Sequence, residues 1–149
     1  MQDLKELYQE VILDHNRNPR NCACMERATC EAHGHNPLCG DKLKVYLKLV
    51  DNNIQDVSFE GRGCAISQAS ASIMTEVVKG MNVADARSIF HQVHELLTND
   101  DFDAKTISNL KLQVLAGVRA YPARVKCASL AWHTLIAAMN QDSHEAKTE

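Results

Sequence analysis

The stretch DKLKVYLKLVDNNIQDVSFEGRGC, residues 41–64, decides the fold that this sequence predicts. Apolar residues alternate with lysines and a tyrosine along residues 43–49, which is the pattern of a β-strand with one buried face. The cluster DNN at residues 51–53 indicates a turn, and the alternation resumes at Val57 and Phe59. These residues predict two antiparallel strands with one face available to a layer of helices.

A weaker strand precedes this pair. Between residues 28 and 34 small residues alternate with larger polar ones, so the segment predicts a third, half-buried strand of the same meander. After the sheet, residues 65–80 are rich in small residues and predict a helix. The predicted sheet therefore has three antiparallel strands, and its C-terminal end leads directly into a helix.

Helices are predicted before and after the sheet in the sequence. Apolar residues recur at helical spacing within about residues 1–20, and Asn18 before Pro19 ends that pattern. The same spacing predicts further helices after the sheet, over residues 83–97 and in the segment that follows Pro122, and another apolar segment lies at residues 110–118.

The order helix, sheet, helices predicts the α+β class, with a three-stranded antiparallel sheet packed against several helices. We expect residues 1–149 to form one domain, because the chain has about one domain's length. Residues 141–149 are polar and predict a frayed tail.

The composition argues against several classes of partner. The net charge of −3 disfavours nucleic acid, since phosphate binding requires a basic face. No apolar run approaches the length of a membrane span. The segment MQDLKELYQE is charged and does not predict a signal peptide, so we expect a cytoplasmic protein. In that reducing compartment, the 6 cysteines are expected to be thiols or metal ligands rather than disulfides.

Three cysteines lie at the ends of predicted elements. Cys39 lies in a turn just before a strand, Cys64 lies where a strand gives way to a helix, and Cys127 lies in the first turns of the last helix. The start of one strand and the end of its antiparallel neighbour meet at the same end of a sheet. We therefore expect Cys39 and Cys64 to lie close together, with Cys127 able to approach them.

Basic residues surround these thiols in the sequence. Cys64 follows Arg62 and begins a helix, while Cys127 follows Arg124 and Lys126. A helix N-terminus or a nearby cation lowers the pKa of a thiol, so we expect thiolates at both positions.

Three thiolates and one carboxylate can form a tetrahedral metal site. The candidate ligands are Cys39, Asp41, Cys64 and Cys127, which together suit a divalent cation such as zinc. Their spacings match no generic metal motif, so buried thiols without a metal remain an alternative at this point.

Four motifs resemble those of a known family. The sequence runs LYQEVILDHNRNPRN, NPLCGD, FEGRGCAISQASASIM and YPARVKCASLAWHTL are similar to those of the NifU-like/IscU-like iron–sulfur cluster assembly family, and most of all to its SufU branch. The resemblance implies a three-stranded antiparallel sheet packed against helices. It also implies that Cys39, Asp41, Cys64 and Cys127 form a metal or cluster site.

Two departures from the IscU scaffolds favour the SufU branch. Lys126 stands where those scaffolds carry a histidine, and YPARVK stands where they carry a chaperone-recognition motif. The gap between Cys64 and Cys127 is also longer, which implies a helical insert at about residues 80–105.

The SufU resemblance implies a zinc-binding protein that takes persulfide sulfur from a SufS-like cysteine desulfurase. Such a protein is a sulfurtransferase-like relay rather than a classical turnover enzyme, and it passes sulfur towards a downstream cluster scaffold or acceptor apoproteins. We hypothesise that Cys39 is the sulfur acceptor, because its turn beside Gly40 is the most mobile of the three settings, and that Arg124 stabilises the thiolates.

Other readings of the same residues stay open. A scaffold would hold iron or a transient [2Fe–2S] cluster on the same four side chains, and a zinc-stabilised fold would have no transfer role. A second metal site at Cys22, Cys24, Cys30, His33 and His35 is conceivable from the Cys-x-Cys and His-x-His spacings. We favour incidental thiols there, since these residues lie outside the four motifs.

Overall fold

The antiparallel sheet expected from residues 28–64 is present. The computed structural model describes residues 4–140 and 146–147. The strands are β1 (Cys30–Asn36), β2 (Asp41–Val50), β3 (Asn53–Arg62) and the short β4 (Ala146–Lys147), in the spatial order β3-β2-β1-β4. Strands β1, β2 and β3 pair antiparallel, as predicted, whereas β4 pairs parallel with β1.

The turn between β2 and β3 has the backbone conformation that its residue types favour. Asp51 and Asn52 both adopt positive φ angles, of 54° and 64°. These angles are typical of the tight hairpin turns whose twist matches that of the flanking strands. Residues 43, 45 and 47 of β2 then face the core and are buried, as their alternation predicts.

The described part of the chain contains five α-helices in addition to the sheet. They are α1 (Leu4–Arg17), α2 (Ala65–Val78), α3 (Val83–Thr98), α4 (Leu110–Leu115) and α5 (Val125–Met139). The predicted helix after Pro122 begins with a 3₁₀ turn at Pro122–Arg124 and becomes α-helical at Val125. The apolar segment at residues 110–118 forms the short α4, which is followed by a 3₁₀ turn at Ala116–Ala120.

Helix α5 is the centre of the helical layer and packs on β1, β2, α2 and α3. Its Trp132 is buried and donates through Nε1 to Ser70 Oγ over 3.2 Å. Ser70 Oγ in turn donates to the carbonyl of Ala128 over 2.5 Å, so α2 and α5 are joined by polar contacts within an apolar core.

Most of the segment predicted as an insert is helical. Helix α3 begins after Asn82, whose side chain accepts a hydrogen bond from the Asp85 N–H, and it packs against α5. That residues 80–105 are an insertion stays a prediction. The tail expected at residues 141–149 lies outside the described residues, apart from β4. Within the described ranges, no helix has both the length and the apolar character needed to cross a bilayer.

Candidate metal centre

Cys39 and Asp41 occupy the turn that joins β1 to β2. Asn36 ends β1 and faces Asp41, the first residue of β2, in the strand register. Gly40 adopts a φ of 73° and donates its N–H to the Asn36 carbonyl over 2.9 Å, so the turn needs a residue that tolerates a left-handed backbone. Cys39 is exposed at the tip of this turn, whereas the Asp41 side chain is completely buried.

Cys127 meets these two residues from the helical layer. It lies in the first turn of α5 and is completely buried. The candidate ligand atoms of Cys39, Asp41 and Cys127 all lie within 4.8 Å of one another. Two sulfur atoms and a carboxylate oxygen at this spacing suit zinc, which binds thiolate and carboxylate ligands in small tetrahedral sites.

Cys64 borders this group without belonging to it. It is the N-cap of α2, and its thiol accepts a hydrogen bond from the Ser67 N–H over 3.4 Å. Its own N–H donates to Asp41 Oδ1 over 2.9 Å. The thiol of Cys64 also interacts with that of Cys127, where it is one of the causes of a raised pKa. The structure therefore brings three of the four predicted ligands together and leaves the fourth beside them.

Arg124 lies next to the thiols. It precedes α5, and its Nη1 donates to Cys39 Sγ over 3.6 Å. Hydrogen bonding to Cys127 raises the pKa of the Arg124 guanidinium. The charges of Cys64 and Cys39 raise it further, so this cation interacts with all three predicted sulfur ligands.

The expectation of a lowered pKa at Cys127 is wrong. Burial raises the pKa of this thiol, and hydrogen bonding to Asp41 and Cys39 raises it further. The nearby Arg124 and Lys126 do not compensate, because loss of hydration disfavours the ionised form of a fully buried thiol. A bound cation would reverse this balance, since a coordinating thiol is deprotonated.

Asn36 is a residue of the site that sequence reasoning missed. It is fully buried, and its Nδ2 donates to Asp41 Oδ2 over 3.2 Å and to Cys127 Sγ over 3.5 Å. Its Oδ1 accepts the Leu38 N–H over 3.3 Å, which also orders the turn that carries Cys39. An asparagine immediately before a proline is a common turn signal, and that signal would have drawn attention to this position.

Gly63 is a second missed residue. A Cβ added to Gly63 would overlap the Asp41 carboxylate, so only glycine leaves this carboxylate in its place. The close approach of the chain at Gly63 allows the neighbouring Cys64 N–H to reach Asp41. Together these contacts hold one carboxylate oxygen towards Cys64 and the other towards Asn36.

The structure does not support the second candidate metal site, which comprises Cys22, Cys24, Cys30, His33 and His35. Cys30 points into the core, whereas Cys22 and Cys24 are exposed. Among the described residues, the group formed by Cys39, Asp41 and Cys127 is the one set of metal-binding side chains whose ligand atoms are mutually close.

Comparison with known proteins matches most of the chain. Residues 7–141 match the model of the NifU-like N terminal domain. The zinc-dependent sulfurtransferase SufU of Bacillus subtilis is 38% identical over 133 residues, which are 89% of each chain. The iron–sulfur cluster assembly scaffold protein IscU of Thermotoga maritima is 38% identical over 139 residues, covering 93% of this chain and 96% of the relative.

The fold is also similar to solved structures. The crystal structure of FiSufU from Fervidobacterium islandicum superposes with a TM-score of 0.80 at 33% identity, over 87% of this chain and 94% of that one. The N-terminal part of a NifU-like protein from Brucella abortus gives a TM-score of 0.80 at 25% identity, over 90% and 92% of the two chains.

Proposed function

The chain belongs to the family of NifU-like N-terminal domains, and on this basis we propose that it acts in iron–sulfur cluster assembly as a zinc-dependent acceptor of sulfur. The observation that carries the proposal is the convergence of Cys39, Asp41 and Cys127 within 4.8 Å, with Arg124 against the exposed thiol. The Bacillus subtilis relative that is named a zinc-dependent sulfurtransferase supports the same function.

The residues present fit a zinc ion. Cys39, Asp41 and Cys127 would hold it, with the neighbouring Cys64 as the fourth ligand, and the room that Gly63 leaves beside Asp41 keeps the carboxylate available as a donor. Bound zinc keeps thiols ionised near neutral pH and has no redox chemistry of its own.

Cys39 is the side chain that accepts sulfur in this proposal. The donor is a persulfide on a cysteine of a desulfurase. The Cys39 thiolate attacks the outer sulfur, the sulfur–sulfur bond of the donor breaks, and the donor cysteine leaves as a thiolate. The product is a persulfide on Cys39, so no external oxidant or reductant is required. Cys39 suits this role because its thiol is exposed, whereas Cys127 is buried and the Cys64 thiol caps α2.

Arg124 assists the sulfur transfer in this proposal by stabilising the thiolate of Cys39. Its guanidinium donates to Cys39 Sγ over 3.6 Å, which favours the thiolate that attacks and stabilises the negative charge shared between the reacting sulfurs. Because Arg124 is exposed, it can follow the Cys39 side chain when the turn moves towards the donor.

The partner that supplies sulfur is, in this proposal, a SufS-like cysteine desulfurase in the cytoplasm. The surface around Cys39 suits protein contact, since the neighbouring Leu38 is 71% exposed and Tyr121 is a further exposed apolar residue close to Arg124. Sulfur then passes from Cys39 to a downstream cluster scaffold or to acceptor apoproteins.

The test combines metal analysis with mapping of the transferred sulfur. The zinc-loaded protein is incubated with a desulfurase and cysteine, alkylated, digested and examined by mass spectrometry. We expect one zinc per chain and a persulfide on Cys39. Cys22→Ser, which removes an exposed thiol outside the site, should leave both results unchanged. A persulfide found on Cys127 alone would contradict the assignment of Cys39.

A scaffold function is the second candidate. It is favoured by the Thermotoga maritima relative named as an IscU scaffold protein, and the same four side chains could ligate a [2Fe–2S] cluster. Iron and sulfide in the anaerobically purified protein would support a scaffold, whereas zinc without sulfide supports the relay. A purely structural zinc predicts instead that Cys39→Ala lowers stability and causes no specific functional defect.

A further inference from the structure

Lys42 of β2 and Arg62 of β3 lie directly opposite each other in the antiparallel register. Both side chains are exposed. Lys42 projects from the outer face of the sheet, because its neighbours Asp41 and Leu43 are buried, and Arg62 shares that face as its cross-strand partner. On its other side Lys42 faces His35 of β1, so neither neighbouring position in the register carries a carboxylate. Like charges placed opposite each other destabilise a sheet.

The remaining doubly charged pairs of β2 with β3 are of opposite sign. Lys44 faces Glu60 in the register, and its Nζ also lies 3.4 Å from Glu31 Oε1 on β1. Lys48 faces Asp56. Unlike charges at such positions stabilise a sheet, so most of this face follows the favourable arrangement. The like-charged pair at the end of the strands departs from it.

Lys42 and Arg62, the basic pair, have no counter-charge of their own. Among the residues that the structure describes, neither side chain forms a salt bridge. Protection of a sheet edge does not explain Lys42, since β2 is paired on both sides. The chain as a whole has a net charge of −3, so a concentration of positive charge is unusual for it. A local arrangement that costs stability without a packing reason indicates a functional surface.

The basic pair lies at the end of the sheet that carries the metal centre. Lys42 directly follows Asp41, and the turn that carries the exposed Cys39 joins β1 to β2 at the same end. Arg124 adds a further cation, which donates to Cys39 Sγ over 3.6 Å. A protein that brings a persulfide to Cys39 therefore approaches a positively charged edge of the molecule.

We propose that the basic pair docks carboxylates on the surface of the cysteine desulfurase that supplies sulfur. The inference rests on the proposed sulfur-acceptor function and adds a recognition surface to it. Complementary charges at the rim of an interface steer two proteins together and fix their relative orientation. An acidic docking face on the donor would turn its persulfide towards Cys39. Binding would also relieve the repulsion between Lys42 and Arg62, because each cation gains a counter-charge.

Lys42→Glu tests this inference because it reverses one charge of the pair and leaves the zinc ligands in place. The desulfurase concentration that gives half the maximal rate of persulfide formation on Cys39 should rise about tenfold at low ionic strength. The maximal rate should stay the same, since the change lies outside the reacting groups. The difference from the wild type should shrink as salt is added, because salt screens exposed charges.

Stability gives a readout that separates docking from folding. In Lys42→Glu the new carboxylate faces Arg62, so unlike charges replace like ones. We therefore expect urea unfolding of the metal-free variant to show no loss of stability. A side chain retained for the sheet itself would give the opposite result.

Lys48→Glu is the matched control. It makes the same change of net charge on the same strand and face, but at the other end of β2. The new carboxylate faces Asp56, so stability should fall slightly. The dependence of persulfide formation on desulfurase concentration should equal that of the wild type.

The outcomes separate the inference from the function on which it rests. An unchanged half-maximal concentration in Lys42→Glu, or an equal rise in Lys48→Glu, would overturn the inference alone. A less stable Lys42→Glu would assign the pair to folding and overturn it as well. Reduced self-association in sedimentation, with sulfur transfer unchanged, would assign the surface to a second copy of the chain and overturn it too. A zinc-loaded wild type that gains no persulfide at any desulfurase concentration would overturn the proposed function.

Discussion

The main-chain N–H of Cys64 donates to Asp41 Oδ1 over 2.9 Å, which joins the N-cap of α2 to the first residue of β2. The other oxygen, Oδ2, accepts Asn36 Nδ2 over 3.2 Å. The carboxylate is therefore oriented from two sides before any metal is present. This preorganisation means that residues which are not ligands should also affect metal affinity, by about 10- to 100-fold.

Gly63→Ala should weaken zinc binding about tenfold, because the added Cβ displaces the Asp41 carboxylate. The measurement is chelator competition with the purified full-length chain. Gly80→Ala is the control: Gly80 has a φ of 90° and open space around it, so alanine should cost about 1 kcal/mol of stability without changing affinity. Equal zinc affinities for the two variants would contradict the role given to Gly63.

Asn36→Ala should lower zinc affinity by about 10- to 100-fold, since it removes the donors to Asp41 and Cys127. The affinity is again measured by chelator competition. Asn109→Ala is a suitable comparison, because Asn109 caps α4 through the Leu112 N–H and its loss should reduce stability by about 1 kcal/mol while metal binding persists. If both variants bind zinc as tightly as the wild type, the contacts of Asn36 contribute only to the turn.

Arg124→Met should slow sulfur acceptance about tenfold, equivalent to about 1.4 kcal/mol, while the protein still carries zinc. The reason is the loss of the donor to Cys39 Sγ. The rate of persulfide formation on Cys39 is followed by mass spectrometry in time-resolved samples. Arg62→Met removes an equal charge two residues before Cys64 and should have a smaller effect. Equal losses in both variants would indicate general electrostatics instead of a specific contact.

His15 should make the protein less stable as the pH falls from 6.5 to about 4. The ring is fully buried between Ser72 Oγ, 2.7 Å from Nδ1, and Lys111 Nζ, 2.8 Å from Nε2. Burial, together with the charges of Lys111 and Arg20, lowers the pKa of His15 to about 4, although the charge of Glu76 opposes the shift. The unfolded chain therefore binds a proton that the folded chain resists, and the stability present above pH 6.5 is lost on acidification.

The size of this effect is about 2 kcal/mol, allowing for relaxation around the ring. It is measured by urea unfolding between pH 7 and pH 4.5, with His15→Gln as the comparison. The variant should be less stable at pH 7 and depend less steeply on pH. Contributions from the metal site are common to both proteins and cancel in the difference. Parallel pH profiles would contradict the assignment to His15.

Local sequence patterns determined the secondary structure and the approximate position of the site. Alternation along residues 43–49 and the DNN turn predicted β2 and β3, since burial of one strand face requires a period of two. Cys39, Cys64 and Cys127 each lie at the end of an element, as expected, because turn and helix-start signals depend only on neighbouring residues.

Only the tertiary structure decided the chemical environment of those residues. The hydrogen bond from Asn36 to Cys127 joins residues 91 positions apart, so no local sequence pattern could predict it. The predicted low pKa of Cys127 was wrong for the same reason. Hydration and hydrogen bonding depend on which distant segments pack around a group, and a basic neighbour in sequence does not offset complete burial.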